Sequence, residues 1–270
     1  MVSPSVLNYL VHHQYFHYVA PAQKVVSKLK ASFYMLSVKE WNLDTIMFRY
    51  LWNPFKWIGK QFRFLQSKIS IVILLIVAVA LSVIGYTHQD LLPSLNGILP
   101  IIMMSIALIS ILFAFSYRKS ALTAWVYLLI AHFLIIAAVL VNAIHISLIE
   151  IIFYVSGILL AFIVGYYCLL KIKKVDNDIS LNQFHGYIYE QPTTGFLFLV
   201  SAMGILGFPM TAAFIGIDVL FTYVHSNQLP LIILMGLCFI FIELTAFRIL
   251  LRVFLGPHKK LNHPVAFRSS

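Results

Sequence analysis

Ala121-Leu-Thr-Ala-Trp-Val-Tyr-Leu-Leu-Ile-Ala-His-Phe-Leu-Ile-Ile-Ala-Ala-Val-Leu-Val141 contains one group that titrates near neutral pH, His132. At about 1.5 Å of helix rise per residue, the run is long enough to cross a hydrocarbon core of about 30 Å. Comparable runs lie on both sides of it, at Ser70–Tyr86, Ile98–Ser116, Ile146–Leu170, Gly195–Val224 and Leu231–Phe254. Across the chain 61% of residues are apolar and 10% charged, too few charges to coat a water-facing globule. Lipid offers the backbone no hydrogen-bond partners, so each crossing must satisfy its own N–H and C=O groups as a helix. The expectation is an all-α integral membrane protein of about six crossings.

The fifth run is longer than one span needs, and its middle reads Gly207-Phe208-Pro209-Met210-Thr211. Proline removes a backbone donor and clashes with the preceding turn, so a helix broken at Gly207 and Pro209 is expected there. Basic residues occupy alternate connections. Arg118 and Lys119 follow the second crossing, Lys171, Lys173 and Lys174 the fourth, and Arg252, Lys259 and Lys260 the sixth, while 87–97, 142–145 and 225–230 carry none. This asymmetry places both termini in the cytoplasm of a multi-pass protein of the cell (inner) membrane.

Residues 1–68 form a polar and amphipathic N-terminal segment, 69–257 the transmembrane domain and 258–270 a cytoplasmic tail. Ala22–Lys68 holds nine Lys or Arg against Glu40 and Asp44. Phe48, Leu51, Trp52, Phe55, Ile58, Phe62 and Leu65 recur at helical spacing with Lys56, Lys60 and Arg63 elsewhere on the wheel, the pattern of a helix lying on a membrane or against a partner, bent or broken at Pro54. Anionic headgroups or an acidic partner account for the net charge of +10, and no soluble module is present to bind nucleic acid. The first residues lack the basic-then-apolar order of a cleavable leader, so insertion is expected to start at an internal helix. Cys168 and Cys238 lie inside apolar runs and read as small buried side chains.

No phosphate-binding loop, dinucleotide fingerprint, Cys/His metal spacing or nucleophile elbow is present, so nothing points to a catalytic site, a metal or a cofactor in this chain. A lipid-modifying enzyme would want its polar groups clustered at one interface, whereas here they are spread over several helices. Those groups are His132, His145, Glu150, Asp218 and Glu243, and ionisable residues within a bilayer usually face a bundle interior or water. Each has two readings. His132 is a neutral histidine bonded to a neighbouring helix or a proton carrier; His145 caps the fourth crossing or gates a path. Glu150 sits at an interface or on the path. Asp218, just past the break, is an acid near the second interface or the carrier at a discontinuous helix. Glu243 forms a structural pair with Arg248, five residues on, or serves as a relay.

Five features in order carry a family resemblance: Arg118-Lys119 before Leu122; His145 heading Ile146–Gly157; Gly207-Phe208-Pro209; Phe214-Ile215-Gly216-Ile217-Asp218; and Phe247-Arg248 with Phe254 and Gly256. Residues 98–257 thereby resemble one five-helix unit of the antiporter-like membrane subunits. These occur in proton-pumping NADH:quinone oxidoreductase, in multisubunit cation/proton antiporters and in the two-subunit inorganic-carbon uptake complexes. In the respiratory version a lysine follows the leading histidine by four residues, where this chain has Ile149 and then Glu150. The family's broken helix often has lysine or glutamate where this chain has Ile217 and then Asp218.

The resemblance implies a proton- or sodium-translocating subunit of an energy-coupled complex, its path running through His145, Glu150, Asp218 and Glu243, with His132. Family members pair two such units, so a further membrane subunit supplying the second is expected as partner, together with a soluble driving subunit. An inorganic-carbon uptake subunit driven by a cation gradient and a non-transporting assembly subunit are the alternatives.

Overall fold

A computed structural model describes residues 49–50, 53–61, 67–87, 97–143, 146–176, 178–225 and 227–257, without the side chains of 58–60. The chain divides into two units, Met1–Pro54 and Phe55–Ser270, and the packing below is that of the second. Eight helices run in order among the described residues: α1 Asn53–Gln61, α2 Lys68–Thr87, α3 Leu99–Ser116, α4 Ala121–Asn142, α5 Leu148–Asp176, α6 Pro192–Ile205, α7 Ala212–Thr222 and α8 Leu229–Leu250, the last continuing as a π-turn over Leu251–Leu255. The protein is an all-α membrane protein. Five helices are long and apolar enough to cross a bilayer, counting α8 with its π-turn as one, and α6 and α7 are shorter apolar pieces.

Residues 121–141 become the centre of the bundle. In α4, 89% of the apolar window is buried within the chain, against 11% in α2, which rests on α4 at the periphery. Between apolar helices in lipid no hydrophobic drive is left, so small residues and interhelical hydrogen bonds do the joining. Ser82 Oγ donates to the Phe133 carbonyl at 2.9 Å, Trp125 Nε1 to Phe162 O at 3.1 Å, and Ser201 Oγ to Ala161 O at 2.6 Å.

On α5 the residues Gly157, Ala161 and Gly165 recur every fourth position and seat the broken helix. A Cβ on Gly157 would lie 2.8 Å from Ala213 Cα, one on Gly165 would run into Ser201 Oγ of α6 and the Trp125 ring of α4, and one on Gly204 of α6 would lie 2.8 Å from Ala161 Cβ. On α7, a Cβ on Gly216 would lie 2.6 Å from Tyr154 Cβ.

The two ends of the bundle differ in charge. At one end the segment 178–191 closes over the helix termini. Ala121 N–H donates to Ile179 O at 3.0 Å, Leu181 N–H to Arg118 O at 2.7 Å, and His185, Tyr187 and Ile188 N–H groups to the carbonyls of Arg252, Val253 and Phe254. The closing carbonyls of α8 thus find donors outside the helix. Arg118, Lys119, Lys171, Lys173, Lys174 and Arg252 all belong to this end, Arg252 lying 4.1 Å over the Phe184 ring. Burial first, and donation of its hydroxyl to Asp176, hold the Tyr187 phenol above the ordinary tyrosine range.

At the opposite end Asn142 Nδ2 donates to Tyr223 O at 3.0 Å, and Gln228 Nε2 to Asn142 Oδ1 at 2.8 Å. No Lys or Arg occurs at this end among the described residues. Helix α6 leaves the basic end, where Lys171 Nζ donates to Thr194 Oγ1 at 3.0 Å, and α7 arrives at the neutral end, so the pair makes one interrupted passage.

Helix α5 runs on to Asp176, beyond the Leu170 boundary expected from hydropathy, because its lysines continue the helix past the apolar stretch. Of the N-terminal amphipathic segment, only α1 and a few residues beside it are described. Pro54 stands in the first turn of α1, where its missing N–H costs nothing. The Phe55 ring meets Phe241 of α8 edge-on at 4.8 Å. Most of that segment and the tail lie outside the described residues.

Candidate functional site

The interruption between α6 and α7 is the centre of the site. Helix α6 ends at Ile205, a turn through Gly207 (φ +65°) and Met210 (φ +88°) follows, and α7 begins at Ala212. Left-handed geometry suits Gly207. At Met210 it costs about 1 kcal/mol or more, retained only where surrounding structure imposes it. Pro209 between them has no N–H to give.

Among the polar residues expected within the spans, His132 is the one the fold buries completely. It is 1% exposed, at the middle of α4, with Nδ1 2.8 Å from Tyr154 Oη of α5. The ring lies against the backbone of Ile205, where α6 stops, yet Nε2 closes a hydrogen bond to nothing. Phe239 of α8 flanks the ring at 6.2 Å and in turn meets Phe221 of α7 at 5.4 Å. The central histidine, the break and the two helices beyond it are therefore neighbours.

Glu150 is placed differently. It follows Ser147 by three residues at the start of α5, where its Oε2 accepts from Ser147 N–H at 3.1 Å and its own N–H points to Ser147 Oγ at 3.4 Å, a reciprocal capping arrangement. Tyr223, just past α7, donates to the same Oε2 at 2.6 Å. With Asn142 and Gln228 this forms a polar cluster at the neutral end, beside a cavity of about 220 Å³ lined by Pro100, Asn142, Asn227 and Gln228. Ser147→Ala is expected to cost about 1 kcal/mol, read as a lower thermal midpoint of the purified chain, with no change in helix content.

Asp218 and Glu243 both point out of the fold. Asp218 lies on the exposed face of α7 among Phe214, Ile215 and Phe221. Glu243 lies on that of α8 between Ile240 and Phe247, and Gly236, two turns earlier on the same face, has open space where a side chain would be. Five residues of helix turn Arg248 by roughly 140° from Glu243, and the Arg248 guanidinium donates to the Phe115 carbonyl of α3, with its charge 5.7 Å from that ring. The structure keeps the two residues apart. His145 lies outside the described residues.

The site residues not anticipated from sequence are Tyr154, Asn142, Tyr223 and Gln228. Among the described residues no group of His, Cys, Asp and Glu has the arrangement to hold a metal ion. Comparison with known protein families, with curated proteins and with solved structures finds no match.

Proposed function

We propose that the chain is a membrane subunit of a proton- or sodium-translocating complex and that a second membrane subunit covers the face bearing Asp218 and Glu243. One observation carries the reading: Asp218, on the helix that follows the break, and Glu243, in the middle of α8, both stand exposed among apolar side chains. A charge facing hydrocarbon costs about 2.5–3.5 kcal/mol even on lenient scales, whereas a charge lining a hydrated seam between subunits is where ion paths are built. Gly236 supports close approach of another helix along the same stripe.

On this reading the two acids are the ion-carrying groups, the break supplies the unwound backbone beside them, and Glu150 caps a helix at the path's neutral mouth. The driving reaction belongs to the partners: quinone reduction, an opposing ion gradient, or carbon dioxide hydration by a soluble zinc subunit. The basic end faces the cytoplasm of the cell membrane, as positive loops do. Asn227→Cys and Lys173→Cys, both exposed, are accordingly expected to react with an impermeant thiol reagent from opposite sides of sealed cells, Asn227→Cys from outside; labelling of both from one side contradicts the orientation.

Inverted membrane vesicles from cells making the complex test the function. Vesicles should build a proton or sodium gradient when energised, and vesicles from cells lacking only this chain should not. Equal gradients in the two would leave the assembly-subunit reading in its place.

A further inference from the structure

The end of α6 leaves one backbone acceptor without a donor. Phe208 N–H donates to Met203 O at 2.9 Å and Gly207 N–H to Gly204 O at 3.2 Å, the paired bonds of a glycine-terminated helix. These satisfy the carbonyls of 203 and 204. The Ile205 carbonyl, in a continuing helix, would take the N–H four residues on, and that residue is Pro209. Among the described residues no backbone N–H reaches it. A bare carbonyl in a dry membrane interior is costly.

Two buried side-chain nitrogens lack a partner among the described residues, His185 Nδ1 at the basic end and His132 Nε2 beside the break. The His132 ring lies against the Ile205 backbone with Nε2 unpartnered, while Nδ1 is held by Tyr154. We propose that His132 latches the broken helix to the central one. Its neutral ring carries the proton on Nε2 and gives it to the Ile205 carbonyl that Pro209 frees; Tyr154 donates its hydroxyl to Nδ1 at 2.8 Å in preference to the His132 carbonyl at 3.5 Å, fixing that tautomer. Tyr154 is thus a positioning residue acting through His132. The same residue packs its Cα and Cβ under Gly216, so it touches α7 beyond the break as well as the latch before it. The assignment goes beyond ion transport: it concerns how the break is held, and it stands or falls whether or not the chain moves ions.

Nuclear magnetic resonance of the full chain labelled with ¹⁵N-histidine reads the tautomer directly, the His132 signals being those missing from His132→Gln. The expected result is a protonated Nε2 and an unprotonated Nδ1, with Tyr154→Phe mixing the two forms. Amide exchange at Phe208 and Thr211 reads the latch. His132→Leu should speed it by about five- to tenfold, the worth of one hydrogen bond of about 1 kcal/mol. Adding Pro209→Ala to His132→Leu should slow it again, because residue 209 then offers Ile205 a backbone donor. A proton on Nδ1 in the unaltered chain overturns the proposal. Unchanged exchange in His132→Leu overturns it equally, whatever the tautomer.

Discussion

Gly157→Val and Gly216→Val are each expected to remove most of the folded protein, whereas Gly236→Ala is expected to fold at least as well as the unaltered chain. The three glycines are equally small and all lie in apolar helices, so composition does not separate them; what a side chain would meet does. A Cβ at Gly157 would sit 2.8 Å from the Ala213 Cα, and one at Gly216 2.7 Å from the Tyr154 backbone nitrogen. Backbone on both sides leaves no flexible side chain to swing away. Overpacking costs about 1–3 kcal/mol where neighbours can yield and more where they cannot, out of a total stability of about 5–15 kcal/mol. At Gly236 nothing lies within 4 Å, and alanine gains about 0.8–1 kcal/mol of helix propensity. Size-exclusion yield and thermal midpoint in detergent check all three. Equal losses at Gly157 and Gly236 would mean that the close seat of α7 on α5 is wrong.

Glu243→Gln is expected to change sign with its surroundings. In the isolated chain the carboxylate faces lipid or detergent tails, and removing its charge should stabilise the protein by about 1–3 kcal/mol, seen as a raised thermal midpoint. On the proposed function the same change, made in the assembled complex, removes an ion-carrying group, so flux should fall tenfold or more while the subunits stay together. Asp218→Asn should behave alike, less strongly in the isolated chain because only five residues separate Asp218 from Tyr223 at the neutral end. A purely structural carboxylate gives the opposite pattern, in which neutralisation leaves flux per complex unchanged and lowers the yield of complex.

The crossings were legible because a run such as 121–141 has only one workable structure in lipid, and the broken passage because Pro209 cannot continue a helix. The segregation of Arg118, Lys119 and Lys171–Lys174 from the neutral loops likewise reappears as two distinct bundle ends. Glu150 shows where reading by residue type stops. Its Ser147-x-x-Glu150 spacing is a capping signature that can be read locally, yet an acid in an apolar helix draws attention to transport first. The Glu243–Arg248 pairing extends a neighbour rule for three or four residues to five, where the helix has turned the partner away.

Tyr154, Asn142 and Gln228 were not legible, since their roles come from residues 22 and 86 positions away. The seat of the broken helix was half legible: Gly157, Ala161 and Gly165 have the every-fourth spacing of a close helix contact, but nothing in the sequence says that α6 and α7 are what they receive.

On the function proposed above, this chain translocates ions only together with a partner that covers Asp218 and Glu243. Vesicles reconstituted with the purified chain alone, and in parallel with the complex that copurifies with it in mild detergent, decide this under an imposed pH or sodium gradient. The prediction is no flux above empty vesicles for the chain alone and gradient-driven flux for the complex. Flux from the chain alone at the rate of the complex, or no flux from the intact complex, would contradict it.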